Sequence, residues 1–173
     1  MKLAALIIGV TGVILYILSY QFKNRKTIIA MYSSANIMYI IQYLLLGAYT
    51  GMAMDFLGFV SSILARKKHT PFMRKYYKIV VLILDAVMIT VGLLLYQNPF
   101  SLFAIAAIIV ETTALWLDRE KAMRRVAILS TPLWFTYNIA FGAIGSAIGS
   151  AINFVSLSTA ILRYDIIKKE KAD

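Results

Sequence analysis

The chain has 173 residues, 61% of them hydrophobic, with a formal net charge of +10 and a mean hydropathy of +0.76. Soluble domains are about 45–50% apolar, so this composition excludes an ordinary soluble domain and puts the chain in a membrane. There is no cysteine, which excludes disulfides and thiolate metal sites, and the basic residues lie between long apolar runs, which points to membrane topology rather than nucleic acid.

Seven apolar segments follow in chain order, at 3–20, 27–46, 51–65, 77–96, 100–117, 126–141 and 146–162. A bilayer-spanning helix needs roughly 20 residues, so the third, fifth, sixth and seventh are short and rely on neighbours or on snorkelling ends. The first follows Lys2 but runs into Tyr20, Gln21 and Phe22 without a small-residue cleavage site, and is read as a retained helix.

Lysine and arginine sort by connection. The stretches 21–26, 66–78 and 118–125 carry three, six and four, and the tail from Arg163 carries four; 47–50, 97–99 and 142–145 carry none. Seventeen of the eighteen basic residues thus share one face, leaving Lys2 on the other. The positive-inside rule then places the N-terminus outside and the C-terminus in the cytoplasm. The densest run, Arg66-Lys67-Lys68-His69 with Arg74-Lys75, is expected to set topology and meet anionic headgroups.

An internal repeat organises the chain. A shift of 98 residues matches Tyr39 with Tyr137, Gly47 with Gly145, Gly51 with Gly149 and Phe56 with Phe154, eight identities over positions 39–64. Helices one to three then correspond to five to seven, and one linking helix lets both units face the same way. The expected fold is an all-α membrane protein of seven transmembrane helices: a first three-helix repeat (1–66), a basic cytoplasmic loop and linker helix (67–99), a second repeat (100–164) and a charged cytoplasmic tail (165–173).

This three-one-three plan resembles the SWEET sugar carriers and the PnuC-type vitamin transporters. Nearer in sequence, QFKNRK after the first helix, YSSANIMYIIQYLLLGAYTG in the second and DFLGFVSSILARKK in the third resemble the YgjV-type bacterial inner membrane proteins, which implies a multi-pass protein of the bacterial inner membrane. The Pro-Gln pair of the PQ-loop carriers is absent from both first-of-repeat helices.

Helical spacing gathers the polar and aromatic residues. Asn36, Tyr39 and Tyr43 fall on one stripe of helix two, and Trp134 and Tyr137, with the neighbouring Asn138, hold the related part of helix six. Such stripes would line a cavity in which ring faces stack on a solute and amides orient it; packing of aromatics at interfaces and in the core is the alternative. Asp55 in helix three and Asn153 in helix seven form a polar pair at the 98-residue shift, expected near the outer end as a gate. An intramembrane carboxyl costs about 2.5–3.5 kcal/mol at the helix centre and usually faces a bundle interior. Glu111, whose mate at this shift is Val13, is therefore a candidate coupling or proton site, with hydrogen bonding to tyrosine or threonine, or pairing with Arg119 or Arg124, as alternatives. Asp85, on the linker helix, is a second coupling candidate that also suits a structural role or a subunit contact. Pro132, which removes the bond to the Ile128 carbonyl, is a hinge candidate in helix six.

These features favour a carrier or facilitator for a small polar or aromatic solute, such as a vitamin, nucleoside or sugar-like molecule, working by alternating access between the two repeats. The alternative is a non-transporting scaffold, lipid-binding or regulatory protein. No catalytic signature, metal site or cofactor motif is present, so an enzyme is not expected. The expected partners are the solute and anionic lipids, not nucleic acid, with a homo-oligomer left open.

Overall fold

A computed structural model of the chain describes residues 2–166. Every regular element among the described residues is helical: α1 (Lys2–Gln21), α2 (Arg25–Leu46), α3 (Tyr49–Arg66), α4 (Pro71–Leu94), α5 (Ser101–Trp116), α6 (Glu120–Ala127), α7 (Ser130–Ala140) and α8 (Ile144–Ile161), which runs into a π-helical turn at Leu162–Ile166. The tail expected at 165–173 lies, from residue 167 onward, outside the described residues. Taking α6 and α7 as two parts of the expected sixth helix, seven helices remain.

Helix six is broken, and the sequence explains the break. Pro132 stands in the first turn of α7, where its missing N–H would have no helical partner in any case. The Ile128 carbonyl it releases accepts instead from the Thr131 hydroxyl at 2.8 Å and the Thr131 amide at 3.3 Å. The chain therefore interrupts at Ile128 and Leu129 without leaving that oxygen bare.

The turns reveal the repeat. Just past α2, Gly47 takes φ 69°; its amide bonds the Leu44 carbonyl at 3.3 Å and the Ala48 amide bonds the Tyr43 carbonyl at 3.0 Å. This is a Schellman closure, which needs a residue that accepts the left-handed region. Past α7 it recurs with Gly142 at φ 68°, bonding Ile139 at 3.1 Å, while Ala143 bonds Asn138 at 2.8 Å. Helix boundaries keep the same spacing. α1 ends at Gln21 and α5 at Trp116; α2 begins at Arg25 and α6 at Glu120; α3 spans Tyr49–Arg66 and α8 spans Ile144–Ile161. Every one of these pairs is 95 residues apart, the separation also found in the hydrogen bonds Tyr16–Glu111 and Tyr43–Asn138.

The structural register is thus 95, not 98. Three residues are nearly a full helical turn, so the slipped alignment keeps side chains on similar faces, and chance identities among Gly, Ala, Ile and Phe outweigh the true matches. Those true matches include Gly47-Ala48 with Gly142-Ala143 and Phe59-Val60-Ser61 with Phe154-Val155-Ser156. The mate of Asp55 becomes Ser150 rather than Asn153, and the mate of Glu111 becomes Tyr16 rather than Val13.

Six of these elements close a ring. α1 packs on α2, α2 on α3, α3 on α5, α5 on α7, α7 on α8, and α8 returns to α1. α4 leans on α3 and α5 from outside, seating Met88 and Gly92 while most of its surface stays exposed; a side chain at Gly92 would run into Ile105. Two braces tie the repeats together. The Gly51 amide in the first turn of α3 donates to the Tyr137 hydroxyl of α7 at 2.8 Å, and the Ser146 hydroxyl in the first turn of α8 donates to Gln42 Oε1 of α2 at 2.6 Å. Both braces join the same two repeat positions in opposite directions, since 42 corresponds to 137 and 51 to 146.

The ring turns apolar stripes outward: Leu3, Ile7, Val10, Ile14 and Leu18 on α1, and Ile144, Ile148, Ile152 and Val155 on α8. Apolar surface this extensive suits lipid and not water. Three helical stretches, Lys26–Leu46, Pro71–Leu94 and Ile144–Asp165, are long and apolar enough to cross a membrane, and Leu3–Ser19 and Ser101–Trp116 are shorter apolar helices.

At the basic end two charges are turned inward. Lys68, expected among the headgroup-facing residues, is buried; it donates to the Trp116 carbonyl at the end of α5, pairs with Asp118 at 2.7 Å and stands over the Tyr77 ring. A cation there also suits the negative end of a helix. Arg124 pairs with Asp165 at 2.5 Å in a buried bridge, so it is not the partner of Glu111.

Candidate functional site

A cavity lies inside the ring, and all six ring elements, with α7 speaking for the sixth helix, contribute to it. α1 supplies Val13 and Tyr16; α2 supplies Asn36, Tyr39 and Tyr43; α3 supplies Asp55; α5 supplies Glu111; α7 supplies Thr131, Trp134 and Asn138; α8 supplies Ser146, Gly149, Ser150 and Asn153. At the register of 95, ten of these fourteen fall into five mate pairs: Tyr16 with Glu111, Asn36 with Thr131, Tyr39 with Trp134, Tyr43 with Asn138, and Asp55 with Ser150. Two pairs touch directly. Tyr16 donates to Glu111, and the Tyr43 hydroxyl donates to Asn138 Oδ1 at 2.6 Å. Residues that meet their own repeat mates must lie next to the pseudo-twofold axis, so the cavity sits on that axis.

Aromatic rings make one wall. Tyr43 and Trp134 stack with centroids 6.3 Å apart and planes 16° apart, and Tyr39 links Tyr43 to Tyr16 at 6.4 and 6.5 Å. Glu111 is held by hydroxyls: Tyr16 and Ser130, the latter at 2.9 Å, donate to Oε1, and Tyr32 donates to Oε2 at 3.1 Å. This matches the hydrogen-bonded alternative and not the ion-paired one. Asn138 continues to the Ser150 hydroxyl at 3.3 Å.

Three polar atoms in the wall have no partner. Asn36 Nδ2, Asp55 Oδ2 and Asn153 Oδ1 are buried and unbonded, on residues that are 1%, 4% and 3% exposed. A buried polar atom left unsatisfied costs about 1–3 kcal/mol. Three around one cavity mark where a bound solute or water has most to gain.

The cavity gathers Asn36, Tyr39, Tyr43, Asp55, Glu111, Trp134, Asn138 and Asn153. It does not include Tyr137, whose hydroxyl is taken by Gly51 in the brace, nor Asp85, half-buried on α4 outside the ring. Pro132 is exposed beside the lining residue Thr131. Asp55 and Asn153 share the cavity with the stripe residues and do not form a separate outer layer. The polar lining residues missed by sequence reasoning are Tyr16, Thr131, Ser146 and Ser150; Val13 and Gly149 complete the lining. The signal for Thr131 was present: Thr131, Trp134 and Asn138 repeat the spacing of Asn36, Tyr39 and Tyr43, visible once the register is 95. Among the described residues no group of three or more His, Cys, Asp or Glu side chains could hold a metal.

A ring of helices, apolar outside and polar within, defines a helical membrane protein with an internal site on its repeat axis. The chain belongs to the Imp-YgjV family of bacterial inner membrane proteins, whose family model matches residues 3–168. No curated protein matches, and no solved structure matches.

Proposed function

We propose that this protein crosses the inner membrane seven times, α6 and α7 together making the sixth crossing, and carries a small solute through the cavity by alternating access between its two repeats. The observation that carries this reading is the trio of unpartnered buried atoms on Asn36, Asp55 and Asn153. A bundle built only as a scaffold gains nothing from three uncompensated polar atoms, whereas a carrier uses them on its solute. The site also lies between two structurally equivalent units, where rocking one against the other would expose it to either side in turn. The interruption at Ile128 and Leu129 next to Pro132 supplies a joint in that motion.

Basic residues gather at the ends of α1, α3, α5 and α8, which gives an outside N-terminus and puts the glycine turns at Gly47 and Gly142 outside. The absence of cysteine makes the topology directly testable. His69→Cys and Pro99→Cys, both at exposed positions, should react with an impermeant maleimide from the cytoplasmic and the outer side respectively; the reverse pattern refutes the orientation. Transport is tested by stabilisation of the purified protein with sugars, nucleosides, vitamins and amines, followed by uptake of any hit into liposomes. Binding indifferent to both Asn36→Ala and Trp134→Ala would remove this cavity as the site.

A further inference from the structure

We propose that the solute is a small organic cation, an inference that rests on the carrier reading and gives the cavity a substrate class. The chain as a whole carries a net charge of +10, yet among the described residues the lining of the cavity has two carboxyl side chains, Asp55 and Glu111, and no lysine, arginine or histidine. The two buried cations nearest the basic end are already engaged, Arg124 by Asp165 and Lys68 by Asp118. An anionic solute would meet no positive group.

The two carboxyls are not equivalent. Glu111 is enclosed by the hydroxyls of Tyr16, Tyr32 and Ser130, so its carboxyl oxygens already have fixed partners within the protein. Asp55 Oδ2 has none. Asn153 Oδ1 is a second unpartnered acceptor in the same wall, and although an amide can be turned over, a carboxylate presents acceptors either way. The open demand at Asp55 is therefore for a donor, best met by one that carries positive charge, while Asn36 Nδ2 is left for an acceptor on the same solute or a water.

The rings complete the match. Tyr39, Tyr43 and Trp134 line the cavity, and aromatic faces attract ammonium and other organic cations through their quadrupoles, more strongly where water is excluded. A divalent metal ion prefers several oxygen or nitrogen ligands, and no suitable acidic or histidine cluster is present among the described residues. A neutral sugar would offer the Asp55 carboxyl hydroxyl donors but no countercharge. An ammonium or pyridinium on a flat or compact frame satisfies the carboxyl and the rings together.

The test uses the purified full-length protein and three matched probes of similar shape: phenethylammonium, 2-phenylethanol and 3-phenylpropanoate, with tetramethylammonium and sodium as further arms, read by calorimetry and by thermal stabilisation. The expected result is binding of phenethylammonium, weaker binding of the alcohol, none of the propanoate, and a loss of about tenfold or more for the cation in Asp55→Asn with the alcohol unaffected. If the alcohol or the propanoate binds wild-type protein as tightly as the cation, the cation inference is overturned and the carrier reading stands. Sodium alone reproducing the full stabilisation would also overturn it, assigning an inorganic ion instead. If none of these probes binds and the broad panel of sugars, nucleosides and vitamins is equally silent, both the inference and the carrier reading fall. The wild-type comparison alone decides between charge types, so an unstable Asp55→Asn would not rescue the proposal.

Discussion

Tyr137→Phe separates a brace from a binding residue. The Tyr137 hydroxyl accepts from the Gly51 amide at 2.8 Å, one of the first-turn donors of α3 that no helical carbonyl can reach. Phenylalanine keeps the ring and its contacts with Tyr43, Trp134 and Phe141, at centroid distances of 5.9, 5.8 and 4.5 Å, so no cavity opens. What is lost is a single acceptor, and a buried N–H left without one costs about 1–3 kcal/mol. For a chain of this size each kcal/mol moves the midpoint by roughly 2–4 °C; the variant should melt about 2–12 °C below wild type in a detergent thermal-unfolding assay. Affinity for whichever probe binds the cavity should stay within about twofold, under 0.5 kcal/mol, because Tyr137 does not line it. Ser146→Ala removes the matching brace to Gln42, and because the two braces share no partner the double variant should be additive within about 0.5 kcal/mol. An unchanged midpoint for Tyr137→Phe would refute the brace. Lost affinity with an unchanged midpoint would instead return Tyr137 to the solute, where the stripe pattern alone had put it.

Two further outcomes follow from packing. Arg124→Met leaves Asp165 buried with its charge unpaired and should cost about 3–5 kcal/mol in thermal or denaturant unfolding, while the double change Arg124→Met with Asp165→Leu should recover most of it, since an apolar pair of similar volume replaces the buried bridge. At Gly149, where α8 passes α1, an added Cβ would run into the Val13 isopropyl group; Gly149→Ala should destabilise by about 1–3 kcal/mol through overpacking, and Val13→Ala in the same chain should restore the midpoint.

Much of the architecture was legible because hydropathy, loop charge and glycine placement all report on the same connections. The helices, their number and the repeat follow from them. The register was not legible, because a slip of three residues leaves helical faces nearly aligned and an apolar alphabet supplies identities by chance. That slip propagated into the site. It paired Asp55 with Asn153 and isolated Glu111, whereas the structure pairs Asp55 with Ser150 and joins Glu111 to its own mate Tyr16. It also hid Thr131, whose place on the stripe depends on the register. Tyr137 was misassigned for another reason. Stripe spacing identifies a face, but a face one residue wide of the cavity meets the next helix instead, and here it meets a bare glycine amide.

The two mate pairs that touch across the axis stand at opposite ends of the cavity. Tyr16 and Glu111 lie in the second-to-last turns of α1 and α5, toward the basic end; Tyr43 and Asn138 lie in the last turns of α2 and α7, beside the glycine closures. Each pair joins one repeat to the other, together with the Gly51–Tyr137 and Ser146–Gln42 braces at the glycine end and the Tyr32–Glu111 and Gln21–Ser156 bonds toward the basic end, so parting the repeats at either end breaks the mate-pair bond there along with these. Alternating access requires that one bond open while the other holds, since opening both would leave a channel. Under the proposed carrier reading, the hydroxyl of Tyr43 would be an outer catch and that of Tyr16 an inner one. A reporter placed on the cavity wall, Ser150→Cys in the cysteine-free chain, reads the difference. Adding Tyr43→Phe should speed its reaction with an impermeant maleimide applied from outside, by about fivefold or more if the lost bond contributes about 1 kcal/mol to closure. Adding Tyr16→Phe should slow that reaction or leave it unchanged, and speed labelling from the cytoplasmic face of inverted vesicles. Equal acceleration from both sides by either variant would mean that the bonds only stabilise the fold, and the two-catch account of the cavity would be wrong.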